Sequence, residues 1–340
     1  MGVRAGLQVD YLPLAARGMA PWEGVLGIVT FDDKPAGLGM DVPVAEINTP
    51  VLGGSTDICE VWRSQGHVES GQRARVRYRR DEHVLFGCIA VPEIDMIPVN
   101  RSALHEATEQ AYREIFSVLD SVGYGHLLRV WNYLPEINVD TFGTERYWQF
   151  NKARRDALIA CGRGVTGNVP AACALGSAIG SPLVIYFLAS KAAPIAIENP
   201  RQISACAYPP QYGPRPVFAR ASVLQQSSAT MLFISGTASI VGHETYHVGN
   251  VAAQTRESLI NIEALLGEAN RVAGAARFAL GELAYKVYVR HSKDFPVIQG
   301  QLSAAVGSSA QIVYLKADIC RHDLLVEIEA AGGHNFNGSV

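Results

Sequence analysis

Apolar residues recur at helical spacing in two places along this chain. Across residues 102–120 they fall at Leu104, Ala107, Ala111, Ile115 and Leu119; across 251–266 they fall at Val251, Leu259, Ile262, Leu265 and Leu266, with Thr255 on the same face. Steps of three and four put one side of each helix on a core. Asn250 stands where the second helix needs a capping oxygen. An apolar strand precedes each helix (84–91 and 231–235) and another follows it (126–133 and 284–291). The last of these alternates Tyr285, Val287, Val289 and His291 against Lys286, Tyr288 and Arg290. A second helix is predicted in each half, at 145–160 and near 294–305. Apolar strands then close the halves, at 182–189 in the first and at 311–316 with 323–330 in the second.

Matching elements lie roughly 150 residues apart, a domain length rather than a solenoid period. The pattern predicts an α/β chain of the α+β kind: two tandem copies of one unit, each a mixed sheet with its helices packed on one face. The expected division is 1–195 and 196–340, in the loop around 193–200.

Composition narrows the classes. With 340 residues, 48% hydrophobic and 18% charged, the chain has material for two cores and none of the character of a disordered protein. A net charge of −3 argues against nucleic acid or an anionic membrane surface as partner. The N-terminal segment has no continuous apolar run, so no secretory signal is expected. Gly2 is followed by Gly6 where a myristoylation signal needs Ser or Thr, and the apolar stretch 182–189 is too short to span a bilayer. Six cysteines without a CxxC pair read as reduced thiols, and a cytoplasmic location is expected.

Several segments carry candidate chemistry. His243 to His247 spell HExxH, but they sit between glycines and β-branched residues, as a strand and turn would. In a strand, two histidines four residues apart are separated by about 13 Å, too far to share one metal. Gly236, in SGTAS after an apolar strand, allows close approach of a ligand or a second backbone. Residues 199–220 interleave prolines with Arg201, Arg215, Arg220, Tyr208 and Tyr212, a rigid loop suited to holding carboxylates. The helix at 146–155 adds Tyr147, Arg154 and Arg155. Near the C-terminus Leu324, Val326, Ile328 and Ala330 are expected on one strand face, with Asp323, Leu325, Glu327 and Glu329 on the other. Two carboxylates on one face repel, so burial of either raises its pKa toward that of a usable general acid. Cys320 lies seven residues before Glu327, close enough to turn back toward it.

The run from SGTASIVGHE through the QTR-bearing helix to VEIEA resembles the YjgF/Rid superfamily over about residues 217–330. Taken together, ENPRQISACAYPPQYGPRPVFARAS, SGTASIVGHE and ADICRHDLLVEIEA resemble the chorismatase family, over most of the chain. That resemblance implies two YjgF-like domains, a cleft beside the second, chorismate as substrate and pyruvate as one product. Glu327 matches the family's catalytic glutamate. Gly236 and Cys320 match positions that vary between subtypes, and the Gly and Cys pair is similar to the 3-hydroxybenzoate-forming one. A hydrolytic subtype giving a dihydroxycyclohexadienoate has Ala at both positions; a third subtype releases 3- and 4-hydroxybenzoate. Single-domain Rid deaminases carry a carboxylate-binding Arg on the strand that reads AQIVYLKAD here, and its absence argues against imine deamination, one rival reading beside a non-catalytic metabolite-binding protein. The expected substrate contacts are Arg154, Arg215 and Arg220 with Tyr147, Tyr208 and Tyr212, and no metal or organic cofactor is expected. By the resemblance the chain is a monomer or a trimer.

Overall fold

The computed structural model describes residues 6–13, 23–31, 41–54, 58–94, 101–226, 229–274 and 276–333. The start of the N-terminal segment, including Gly2, lies outside them. The first five strands are β1 (Leu7–Pro13), β2 (Val25–Thr30), β3 (Val44–Glu46), β4 (Val51–Leu52) and β5 (Ile58–Ser64). Four of them form a sheet in the order β1-β5-β2-β3. This sheet was not anticipated: no strand was expected before residue 84, and β1 and β5 mix charged residues with apolar ones.

The next stretch runs β6 (Glu69–Arg73), β7 (Val76–Arg80), β8 (Val84–Val91), α1 (Ala103–Val122), β9 (His126–Pro135), a small hairpin of β10 (Asp140–Thr141) and β11 (Thr144–Glu145), α2 (Arg146–Ala160), β12 (Ala171–Ser177) and β13 (Leu183–Ser190). After it come β14 (Ile195–Ile197), β15 (Ala221–Gln225), β16 (Thr230–Ala238), a hairpin of β17 (Ile240–Val241) and β18 (Glu244–Thr245), α3 (Val251–Val272), β19 (Ala284–Val289), α4 (Phe295–Val306), β20 (Ile312–Lys316) and β21 (Val326–Gly332). Ser102 and Asn250 cap α1 and α3 by accepting backbone N–H groups of His105 and Ala253.

The two large sheets repeat one topology. The first is ordered β12-β9-β13-β8-β7-β6 and the second β14-β15-β16-β21-β19-β20-β4. Reversed, the second reads as the first with β4 added at its edge. The directions agree as well: β12 is parallel to β9 and β20 to β19, while β13 and β21 run antiparallel to both neighbours. The internal repeat expected from periodicity is therefore present, with β6, β7, β12, β14 and β15 as strands the pattern did not single out.

Each large sheet buries its outer face under its own pair of helices, Phe187 and Ile185 against α1 and α2, Val287 and Ile328 against α3 and α4. The inner faces meet each other and the N-terminal sheet in a third cluster built on Trp62, Trp131, Tyr186, Phe233 and Tyr288. Here one feature goes beyond the sequence pattern and one expectation needs correction. The face of β19 bearing Lys286 and Tyr288 does not meet solvent; both side chains are buried, at 1% and 0% exposure, in the seam between the sheets. The C-terminal strand begins at Val326, not at Asp323. Residues 321–325 form a turn, and Leu324 joins the seam cluster instead of continuing the helix-side row. Alternation alone does not distinguish a strand from a turn that happens to keep its parity.

The seam contains a closed set of four charges. Lys286 Nζ lies 2.5 Å from Glu60 Oε2 and 3.2 Å from Glu329 Oε1, and Arg129 Nη2 lies 2.6 Å from Glu329 Oε2. Trp62 and Trp131 donate their indole N–H to Glu60 and Glu329, and Lys286 donates to the Tyr186 hydroxyl at 2.6 Å. Among the described residues no helix is long and apolar enough to cross a membrane.

Removing one member of a buried ion cluster strands the others. Lys286→Met is expected to cost about 3–5 kcal/mol, read as a lower urea midpoint. Lys152→Met, which breaks an exposed i,i+4 pair with Asp156, should cost no more than about 0.5 kcal/mol.

Candidate active site

A cavity of about 500 Å³, a size suited to a small organic molecule, opens where α2, the 202–220 loop, β16 and the 320–323 turn converge. Glu327 lies at its floor, 3% exposed. A smaller recess of about 30 Å³ continues behind it, walled by Tyr147, Asn151, Arg154, Cys173 and Cys320. Tyr147, Asn151 and Arg154 reach it together because they stand at i, i+4 and i+7 of one helix.

Burial is the main reason the Glu327 carboxyl is pushed up to about 8, with the anionic Glu329 two residues away adding to it. Glu329 goes the other way. Burial alone would raise it, but Lys286, Arg129 and the Trp131 N–H more than offset that and hold it below the usual carboxylate range. The pair thus divides into one acid that keeps its proton near neutrality and one fixed anion. Burial and the nearby Glu327 push the Cys320 thiol up to about 12, so it is a neutral S–H, 3.9 Å from Glu327 Oε2.

Gly236 is required by this arrangement. A Cβ at that position would stand 1.8 Å from Glu327 Oε1 and 3.1 Å from the Cys173 Cβ. The glycine falls inside a register shift of β16, between Ile234 and Thr237, where the strand bends around the carboxyl.

The turn before β21 is held from two sides. Gln254, fully buried in α3, donates to the Asp323 carbonyl at 2.9 Å and accepts the Leu325 N–H at 2.7 Å. Arg290 donates to the carbonyls of Ile319, Arg321 and Leu324. These contacts aim Cys320 and Arg321 into the cavity.

Of the residues singled out by sequence, the structure brings Glu327, Cys320, Gly236, Tyr147, Tyr208, Tyr212 and Arg220 to the cavity, and Arg154 to the recess behind it. Arg154 is 3% exposed, lies over the Tyr112 ring, and has a buried Nε with no hydrogen-bond partner. Arg220 donates to the Tyr208 hydroxyl and the Ile203 carbonyl and leaves its Nε unpaired. Arg215 does not reach the cavity. It is exposed, and its Nε donates to the Tyr208 carbonyl, bracing the loop from outside, because it falls on the turn's outer side between Pro214 and Pro216.

Arg321 is a cavity arginine that sequence reasoning passed over. Its guanidinium lies 4.7 Å from the Tyr212 ring centre and 5.3 Å from that of Tyr208, with a buried Nη2 unpaired. Its place beside Cys320 was the available signal. The HExxH segment is hairpin and turn, as its composition implied. His243 packs edge-on to Tyr212, and His247 lies 3.3 Å from Glu257.

Comparison with known proteins adds an independent line. Residues 60–189 match the family model described as Chorismatase FkbO/Hyg5-like, N-terminal. The chain is 38% identical over 318 residues to a 3-hydroxybenzoate synthase of Streptomyces hygroscopicus, covering 90% of each chain. It is 39% identical over 279 residues to a chorismatase of Streptomyces rapamycinicus, covering 79% of this chain and 80% of that one. A crystal structure of a chorismatase superposes with a TM-score of 0.86 at 32% identity, over 97% of this chain and 100% of the other.

Two outcomes follow from the geometry. In a structure of the Gly236→Ala protein, the Glu327 carboxyl should be displaced from its present position; an unmoved carboxyl would refute the packing argument. A carboxyl whose folded pKa is raised stabilises the fold below its unfolded pKa of 4.5 and loses that contribution as pH rises through about 8. The stability advantage of Glu327→Gln over the parent should therefore grow across that window by at most about 1.4 kcal/mol per pH unit, and level off beyond it.

Proposed function

The chain belongs to the chorismatase family, and from that premise we propose that it converts chorismate to pyruvate and 3-hydroxybenzoate with Glu327 as the proton donor. The activity agrees with the name of the relative from S. hygroscopicus, which aligns along nine-tenths of both chains. The assignment of Glu327 is carried by one observation: a carboxylic acid 3% exposed, held protonated to about pH 8, at the floor of a cavity edged by arginines.

Chorismate carries an enolpyruvyl ether and two carboxylates. Cleaving a vinyl ether requires protonation at carbon, which is slow without a placed acid. Glu327 delivers its proton to the methylene carbon, and the ether oxygen stabilises the cation that results. Such acid catalysis contributes roughly 10²–10⁴-fold. Positioning supplies the remainder, with Arg154, Arg220 and Arg321 as carboxylate partners and Tyr147, Tyr208 and Tyr212 as walls for the ring. Arg215 has no part in this reading. Gly236 gives Glu327 its room, and Cys320 is a neutral thiol beside it, fit to carry a proton during aromatisation.

Pyruvate and hydroxybenzoate together contain all the atoms of chorismate, so this route takes up no water. The hydrolytic route to a dihydroxycyclohexadienoate consumes one. A deeply buried acid beside the neutral Cys320 thiol favours the first. We read the chain as two tandem units, 1–195 and 196–340, the second carrying the acid, and as a cytoplasmic enzyme, in keeping with six free thiols.

Incubation with chorismate and chromatography of the products tests this. Glu327→Gln should fold and release pyruvate at least roughly 10²-fold more slowly; parental turnover would refute the assignment. Cys320→Ala should divert product toward the dienoate, and an unchanged yield of 3-hydroxybenzoate would remove the thiol from the mechanism. Because the acid must be protonated, the rate should fall as pH rises through about 8.

A further inference from the structure

The seam charges are joined to the proposed acid by geometry. Glu327 and Glu329 are alternate residues of β21 and point to the same side, opposite Tyr288 and Lys286 of β19. Glu329 receives Arg129 and Trp131 from β9 and Lys286 from β19. Lys286 is shared with Glu60 of β5, from the sheet that has no part in the internal repeat. Each of these side chains is at least nine-tenths buried, and none of the four charges lines the cavity.

We propose that Glu60, Lys286 and Arg129 are positioning residues for the reaction. Across the seam of three sheets Lys286 and Arg129 hold Glu329 as a fixed anion behind Glu327, while Glu60, by sharing Lys286, keeps the field there negative, and together they keep the transferable proton on Glu327. The proposal rests on the reading of Glu327 as the donor. Two carboxyls this close compete for one proton, and the cations settle which one ionises. Both cations lie on the Glu329 side. The hydroxyls around the pair, Tyr133, Tyr186 and Tyr288, are neutral; burial raises each of them well above the ordinary phenol range. Tyr11, from β1, is raised in the same way. On the cavity side Glu327 faces the neutral thiols Cys173 and Cys320 and the hydroxyl of Tyr147. Arg154 and Arg321 are the charges there, and Arg290 acts across the turn.

Glu60 gives a clean test because it is remote from substrate. With Gln at position 60, Lys286 neutralises Glu329 alone, the field behind Glu327 becomes less negative, and Glu327 ionises more readily. Glu60→Gln keeps the side-chain shape and can still accept the Trp62 N–H. The alkaline limb of pyruvate release should move to lower pH by roughly half to one pH unit, a three- to tenfold change in protonated fraction. Glu60→Asp keeps the charge while disturbing the packing, and should leave the limb at the parental pH even if stability falls. Arg129→Gln leaves Lys286 to keep Glu329 ionised and takes away a cation that acts on both carboxyls, so it should move the limb to higher pH.

The protonation of Glu327 is read separately, from the carboxyl band in infrared difference spectra of the full chain against Glu327→Gln. Parallel movement of band and limb supports the proposal. Equal limbs and bands in Glu60→Gln, Glu60→Asp and the parent overturn it and leave Glu60 a structural residue. A band that moves while the limb does not leaves the network in place and removes Glu327 as donor. Should Arg129→Gln not fold, the Gln and Asp variants at position 60 decide alone.

Discussion

Two carboxyl groups on one face of a buried strand cannot both ionise unless cations pair with both, and here Lys286 and Arg129 make ion pairs with Glu329 alone, acting on Glu327 only from a distance. At contact distance in a dry interior a single charge outweighs most other contributions, and the desolvation it opposes is of similar size. Lys286 and Arg129 overcome that desolvation for Glu329. Nothing comparable is bonded to Glu327, whose partners are a long contact from a thiol and a glycine that leaves it space. The asymmetry between two chemically identical residues is therefore a matter of which neighbours face them. Those neighbours come from three different sheets, so the acid exists only in the assembled fold.

The remainder of the site depends on keeping that carboxyl aimed. β16 bends at Gly236 to let it in, while Gln254 and Arg290 tie down the turn that delivers Cys320 and Arg321. Both clamps bind backbone carbonyls and amides, so they set the path of the chain and leave the neighbouring side chains free. The unpaired nitrogens of Arg154, Arg220 and Arg321 are then consistent with donors waiting for an anion, since buried guanidinium N–H groups rarely go unbonded in a native protein.

Much of this was legible in the chain itself. Helices α1 and α3 followed from spacing of three and four, the cap of α3 from Asn250, and the repeat from the return of the same order of elements. Glu327, Gly236 and Cys320 were marked by pattern and by family likeness together. What escaped shares one physical cause: it depends on long-range partners. β12 lacks a distinctive alternation because it is covered on both faces. The N-terminal sheet is made of short strands whose burial comes from Trp62 and Phe233 meeting across the seam. The burial of Lys286 was not legible, because only Glu60, Glu329 and Tyr186 around it make it tolerable. Arg215 and Arg321 differ by which side of a loop they occupy, which residue type does not reveal.

The repeat also explains why a duplicated fold has a single acid. In the register of β13 and β21, the position of Glu327 opposite Tyr288 corresponds to that of Val184 opposite Tyr133, and Glu329 opposite Lys286 corresponds to Tyr186 opposite Trp131. The two equivalent tyrosines, Tyr133 and Tyr288, meet hydroxyl to hydroxyl at 2.8 Å, which places the approximate symmetry of the repeat in the seam. An exact repeat would bring four carboxylates together there, with no more cations to divide among them, and burial on that scale is prohibitive. The first copy instead presents an apolar side chain and a tyrosine, stacks that tyrosine on Trp131 at 4.4 Å, and turns its hydroxyl to Lys286. The first unit thus supplies an aromatic wall and one cation, Arg129, to the seam in which the carboxyls of the second unit are buried.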